Sequence, residues 1–213
     1  MKQITFGEYK SYDDLHLILK SKTIGSPSIK THTVEVEGSD GVLDYTEYFG
    51  EAKYNNLTLS FEFSTIVVQS QFLTLFSAIK DALHGQKVHI VLDDDPNFYY
   101  IGRISVSDFS NDKSIGNISI TCDCDPYKYK SAATTVAQAV SGSATITLSN
   151  MRKRVVPTIT TDASFTFEFG SSSTVTHSAG TFMIPTMELI EGNNTVTVTG
   201  TGNVSFTYQE GGL

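Results

Sequence analysis

Tryptophan is absent from this chain of 213 residues, cysteine occurs twice, and only 18% of the residues are charged. The missing tryptophan removes the ring best suited to stacking on a sugar. Two cysteines are too few for a structural zinc site, and Cys122 and Cys124 lie two apart on one strand, awkwardly placed for an ordinary disulfide. They continue the alternation of Ile118 and Ile120, so both thiols share the isoleucine face and read as small buried hydrophobes. Low charge together with 39% hydrophobic residues describes a folded globular protein, not a disordered one. No stretch approaches the ~20 apolar residues of a membrane-spanning helix, and MKQITFGEYKSYDD lacks the apolar centre of a signal peptide. Membrane insertion is not expected, and synthesis in the cytoplasm is. The glycosylation-type triplets headed by Asn56, Asn117, Asn193 and Asn203 are therefore read as chance.

Catalytic patterns are missing as well. His16, His32, His84, His89 and His177 form neither H-E-x-x-H nor a zinc-type Cys/His pairing. There is no G-x-S-x-G and no phosphate loop, and GTGNVS at Gly200 lacks the third glycine and the following helix of a dinucleotide fingerprint. Asp93, Asp95 and Asn97 begin like a calcium loop. That loop then needs glycine where Phe98 stands and a bidentate glutamate where Ile104 stands, so a solvated turn is the better reading. Pairs such as Asp13 and Asp14 cannot be assigned to glycoside chemistry, which depends on separation across a cleft. The expectation is no enzyme, no metal and no cofactor.

The net charge of −8 has the wrong sign for stable nucleic-acid binding, which draws on clustered cations. The one basic run, Met151-Arg152-Lys153-Arg154, reads as a turn facing an acidic neighbour.

Along the chain, alternation dominates. Leu15, Leu17 and Leu19 mark a strand broken at Thr23–Pro27 by Gly25 and Pro27. Val34 and Val36 alternate with Glu35 and Glu37 up to a Gly38–Gly41 reversal, and the return arm runs from Val42 to Gly50. This hairpin has too little apolar surface to be core and is stable mainly against something else. Leu57, Leu59, Phe61 and Phe63 line one face of the next strand. Phe72, Leu75, Phe76, Ile79 and Leu83 fall at helical spacing, with Ser70 as N-cap, His84 in the last turn and Gly85 as stop, predicting a helix over about 70–84. A single helix among strands implies a sheet that it covers. Val88–Leu92 and Phe98–Ile104 form a hairpin across DDDPN, and Ile115–Cys124 ends this half.

Near Ser131 charged residues become scarce, and a domain boundary is placed there, dividing 1–130 from 131–213. Eight strands are expected beyond it: Ala144–Leu148, Val155–Thr160, Ser164–Phe169, Thr174–Ser178, Thr181–Ile184, Met187–Ile190, Thr195–Thr199 and Asn203–Tyr208. That spacing fits a β-sandwich or jelly roll. Phe165, Phe167 and Phe169 share a face and look like core, which weighs against a sugar platform. A carbohydrate-binding module or host-adhesion protein is the alternative reading of this half.

The order of several short motifs resembles the distal tail protein (Dit) family of long-tailed, non-contractile bacteriophages. SYDDLHL supplies Tyr12, Asp13 and Asp14; TIGSP supplies Ile24, Gly25 and Pro27; the hairpin closes on Asp44, Thr46, Phe49 and Gly50. DDPNFYY contributes Asp94, Asp95, Pro96, Tyr99 and Tyr100, and PYKY contributes Pro126, Tyr127 and Tyr129. The EGNNTVTV segment resembles the start of a strand in the family's galectin-like domain.

The resemblance implies a mainly β protein. Its N-terminal β-sandwich or split barrel carries one covering helix and a protruding hairpin arm, and a galectin-like C-terminal β-sandwich follows. It implies a homo-hexameric ring at the distal end of the tail tube, with an arm about 33–50 belting the neighbour. On that reading Val34, Val36, Asp40, Gly41, Leu43, Tyr45, Tyr48 and Phe49 form the interface. Implied partners are the tail tube protein, a tail-associated hub or lysin protein and a receptor-binding protein. The ring would sit in the virion's tail tip, with DNA passing through its channel without specific binding, repelled by the acidic wall.

Overall fold

Residues 57–65, LTLSFEFST, show why this chain forms sheet. Leu57, Leu59, Phe61 and Phe63 are buried, while Thr58 and Glu62 between them are exposed, the two-residue period of a strand with one face on a core. The computed structural model describes residues 2–48, 50–65, 67–112, 115–170 and 173–213. It divides into two compact units, Met1–Pro126 with Leu213, and Tyr127–Gly212.

In the first unit the strands are β1 (Ile4–Phe6), β2 (Tyr9–Lys10), β3 (Leu17–Ile24), β4 (Thr33–Glu35), β5 (Val42–Asp44), β6 (Leu57–Thr65), β7 (Lys87–Leu92) and β8 (Phe98–Asp112). β9 (Ile115–Lys130) continues into the second unit, and α1 spans Phe72–Leu83. The sheet order is β2-β1-β7-β8-β9-β6-β3, while β4 and β5 pair only with each other. Were the large sheet flat, β1 and β6 would stand about 19 Å apart, four strand spacings. Instead the Phe6 ring meets Phe61 at 5.6 Å and Phe63 at 6.3 Å, edge to face. The sheet has curled until its inward faces touch, and Ile4, Leu17, Ile90, Ile104, Ile118, Ile120, Cys122 and Cys124 fill the space between. The helix buries Phe72, Ile79 and Leu83, and its Phe72 and Phe76 rings meet Phe109 of β8 at 6.1 and 5.3 Å.

Several expectations need correction. Ser70 does not cap the helix. It lies in a 3-10 turn over Gln69–Gln71, and Gln71 precedes α1 without a side-chain cap bond. His84 stands at the helix end, where its Nδ1 accepts the Val106 backbone N–H at 3.1 Å, before Gly85 turns the chain at φ +80°. Leu15 precedes its strand, because His16 adopts a positive φ of 54° and β3 starts at Leu17. β3 then runs through Thr23 to Ile24 after a bulge between Leu19 and Ser21, and the break begins at Gly25. A Cβ on Gly25 would lie 2.8 Å from the Thr58 carbonyl oxygen, so this close approach requires glycine.

The second unit starts with the end of β9, where Lys128 and Tyr129 pair with Gly212 and Gly211 of β16 (Gly211–Gly212). That pairing draws the boundary a few residues upstream of Ser131. β10 (Thr134–Asn150) and β15 (Gly192–Tyr208), each of 17 residues, pair along their whole length. Between them lie β11 (Thr158–Thr161), β12 (Phe165–Phe169), β13 (Ser173–His177) and β14 (Gly180–Met183). Thr195–Thr199 and Asn203–Tyr208 are thus one strand, and Thr134–Ser143, not among the expected strands, is strand too. Met187–Ile190 makes only an isolated bridge, Leu189 to Val155.

The first half of β15 pairs with β12 and the second half with β11, so one bent strand serves two layers. Phe167 of β12 meets Phe206 of the other layer at 6.2 Å and 90°, the contact that makes this a sandwich. At the bend, Gly200 and Gly202 occupy inward positions that elsewhere carry Val196, Val198, Val204 and Phe206. A Cβ on Gly200 would come within 2.8 Å of the Ser164 carbonyl oxygen and 2.5 Å of the Phe165 ring. Gly200→Ala should therefore cost about 1–3 kcal/mol by overpacking. Urea denaturation of both proteins measures it; an unchanged midpoint would show that the corner has room.

Candidate functional site

The arm is the candidate site. Its base is a short ladder. Lys30 N–H donates to the Lys53 carbonyl at 2.8 Å, Asn55 N–H to Ser28 at 2.8 Å, and Ile29 bridges Tyr54. Above it the return strand takes an extra turn, with Tyr48 N–H donating to Tyr45 and Gly50 N–H to Glu47. Asp44 sets this turn, since its Oδ1 accepts both the Thr46 N–H (2.9 Å) and the Thr46 hydroxyl (2.5 Å). The Thr46 hydroxyl oxygen in turn accepts His32 N–H at 3.1 Å, tying the two rails together. The tip closes through Glu35–Val42, Val34–Leu43 and Thr33–Asp44 pairs, with Gly38 and Gly41 at positive φ in the reversal.

Every residue from Ser28 to Tyr45 is exposed, although the stretch carries Ile29, Val34, Val36, Val42, Leu43 and Tyr45. Tyr48 is 74% exposed, its ring edge-to-face with Tyr45 at 6.0 Å. Asp40 and Gly41 are exposed in the reversal, and Phe49 lies outside the described residues. Val34 and Leu43 are direct cross-strand partners, so their side chains share one face. From Thr33 to Tyr48 the arm carries five carboxylates (Glu35, Glu37, Asp40, Asp44, Glu47) and no lysine or arginine. An isolated two-stranded hairpin is marginal in water, and this one leaves Val34, Val36, Val42, Leu43 and Tyr45 between 41% and 54% exposed. The surface as built is apolar, acidic and extended.

Other residues singled out in the sequence have structural duties. In SYDDLHL, the buried Ser11 accepts Ile4 N–H on its hydroxyl at 3.0 Å, and Asp14 accepts Lys10 N–H at 2.7 Å. Asp93 accepts Gln3 N–H at 2.9 Å, and the Lys22 ammonium beside Asp94 holds that carboxyl below its usual range. Arg152 and Arg154 of the basic run pair with Glu191 at 3.2 Å and Glu188 at 3.0 Å, while Lys153 lies over the Tyr129 ring at 4.7 Å. Burial, with Asp123 and Asp125 nearby, pushes the Cys124 thiol up to about 12, and burial raises Cys122 likewise. Neither thiol is a nucleophile at neutral pH. No three His, Cys, Asp or Glu residues gather as a metal site among the described residues, nor is any helix among them long and apolar enough to cross a membrane.

In the second unit a shallow depression of about 430 Å³ is lined by Gln138, Thr160, Asp162, Asn203 and Ser205 among others. Asp162 is committed there to Asn203, accepting its N–H at 2.6 Å and its amide at 2.7 Å, which lowers the carboxyl's pKa. The depression has no aromatic wall. Phe165 and Phe167 are buried as the sequence implied. Sequence reasoning missed Glu210, a buried carboxylate held by the Lys130 ammonium and the Thr134 hydroxyl; nothing in QEGGL signals it.

A curled sheet with one covering helix, joined in sequence to a β-sandwich, is a fold this chain shares with a solved Dit protein. The solved structure of the SPP1 Dit (gp 19.1) protein, described as a paradigm of the hub adsorption apparatus in phages infecting Gram-positive bacteria, is similar to this chain. The TM-score is 0.74 over 98% of this chain and 99% of that one, at 14% sequence identity. No family model and no curated protein matches the sequence.

The Asp44 turn yields a pH test. Its Thr46 hydrogen bonds lower the carboxyl pKa from the ordinary value of 3.8. The turn is therefore fully supported above that value and loses support as pH falls through the lowered one. Thr46→Val should move the Asp44 titration upward towards 3.8, read from side-chain carboxyl carbon shifts; no movement would remove Thr46 as the cause.

Proposed function

We propose that this chain is a structural subunit of a phage tail hub, six copies of which close into a ring with each arm laid on the adjacent subunit. The observation that carries the reading is the arm: eighteen consecutive exposed residues, rich in apolar side chains, standing on a unit that otherwise buries its strand faces well. The likeness in fold to a hub adsorption protein supports the same reading.

A contact of this kind is heterologous. It closes only when the rotation per subunit divides the circle, and it then leaves no arm unpaired. Val34, Val36, Leu43, Tyr45 and Tyr48 bring the apolar area, with Asp40 and Gly41 in the reversal and Phe49 assigned by sequence alone. The five carboxylates call for a basic rim on the receiving surface. The tail tube protein on one side and a hub or lysin protein with receptor-binding proteins on the other are the expected neighbours. Six copies at −8 each give a channel wall that repels passing DNA and so keeps it moving. The second unit is proposed as the galectin-like outer domain and attachment point. The shallow depression without aromatic rings gives no support to sugar binding there.

Removing Val36–Thr46 should leave a folded protein that no longer forms rings, judged by circular dichroism, light scattering and negative-stain electron microscopy. Intact rings after that deletion would refute the belt role. A native chain that stays monomeric even with tube and hub proteins present would refute the hub itself.

A further inference from the structure

The reversal at the tip of the arm holds the single Asp-Gly pair of this chain, Asp40–Gly41, and the sequence has no Asn-Gly. The backbone nitrogen that follows an aspartate can reach that aspartate's own carboxyl carbon and close a succinimide ring. A following glycine has no Cβ to shield the nitrogen. A fold suppresses this reaction by holding the nitrogen or the carboxyl in hydrogen bonds, and most aspartates here are so held. Asp44, further along the same arm, is held at both: its Oδ1 accepts Thr46, and the Tyr45 N–H donates to the His32 carbonyl at 2.7 Å. The N–H groups after Asp13 and Asp14 both donate to the Lys10 carbonyl. Asp93, Asp94 and Asp162 have their carboxylates engaged, and Asp95 and Asp125 precede prolines, which carry no N–H.

Asp40 has neither restraint. Among the described residues no hydrogen bond or ion pair engages its carboxyl, and the Gly41 N–H has no acceptor. Both residues are exposed, and Gly41 stands at φ +75° with open space at its Cβ position. A hollow of about 620 Å³, lined by Glu35, Glu37, Ser39 and Gly41 among others, brings solvent to the pair. We propose that Asp40–Gly41 is a self-modification site that converts spontaneously to isoaspartate and so rebuilds the tip of the arm. The Gly41 nitrogen bonds to Asp40 Cγ, while the amide proton, a proton taken from solvent and one carboxyl oxygen leave as water. Water then adds to the main-chain carbonyl of Asp40 and breaks its bond to Gly41. The chain now runs through Cβ and Cγ, longer by a methylene, and the freed carboxylate sits on Cα. The lengthened reversal adjoins the Glu35–Val42 pair that closes the tip ladder. The consequence for assembly rests on the hub reading: an arm rebuilt at its tip no longer fits the adjacent subunit.

The full-length chain, warmed in mildly acidic buffer made with oxygen-18 water, tests the chemistry. Peptide mapping with isoaspartyl methyltransferase and electron-transfer fragmentation should find isoaspartate at position 40, carrying one solvent oxygen, well above any at Asp44. Asp40→Glu, which would need a larger and slower-closing imide, should lose the signal. As much isoaspartate at Asp44 as at Asp40, or an undiminished signal in the glutamate variant, would overturn the proposal. Ring formation by fresh and aged chain is compared separately. It should decline with ageing in the native protein, whereas the assembly of the glutamate variant, whatever its starting level, should not. Aged chain rich in isoaspartate that forms rings as well as fresh chain would overturn the effect on the arm. Fresh chain that forms no rings would count against the hub instead, with the isomerisation judged by the peptide map alone.

Discussion

The contact of Phe6 with Phe61 and Phe63 underlies the first unit, as that of Phe167 with Phe206 underlies the second. In the first unit strands distant in sheet order are brought face to face, and in the second the bend in β15 brings its far half against the neighbouring β12; these contacts make the cores. Without that curling, one side of each sheet would remain in water, and the alternating leucines, isoleucines and phenylalanines would have nothing to bury against. The closures also explain the glycines that matter. Gly25 lets the chain pass Thr58, and Gly200 lets a bent strand serve two layers. Each replaces a side chain by a close approach.

Once the sheets have curled, what remains open defines what the molecule offers to others. The arm is extended, acidic and apolar by turns, and every residue from Ser28 to Tyr45 is exposed. β10 is long and neutral, and among the described residues β15 is its one strand partner. The arm suits assembly, where exposed apolar side chains are completed by a neighbour. The carboxylates that might have suggested chemistry are otherwise engaged: Asp14 and Asp93 by backbone N–H groups, Asp94 by lysine, Asp162 by Asn203 and Glu210 by Lys130 and Thr134.

The arm and the long strand are opposite cases of legibility. The arm could be read from Val34-Glu35-Val36-Glu37 and GSDG, since alternation plus a glycine reversal is a local signal and an apolar surface too small for a core already called for something else to lie against. β10 could not. TTVAQAVSGSATITLSN looks like a linker giving way to a short strand, because glycine and small residues depress any local measure of strand. Only its pairing with β15, over 17 registered positions, makes it sheet. The same holds for Gly200 and Gly202, which read as a turn between two strands and are a bend within one. Ser70 failed as a cap for a related reason: a 3-10 turn ahead of α1 moved the start of the helix past it.

Periodicity alone thus determined the β class, the single helix, the burial of Cys122 and Cys124 and the self-standing hairpin, because each follows from side chains a few residues apart. Which strands would share layers and where the units divide were decided by tertiary structure. Those outcomes depend on hydrogen bonds and ring contacts between residues far apart in the chain, such as Gly211 with Tyr129 and Phe6 with Phe61. No local pattern encodes a partner that distant.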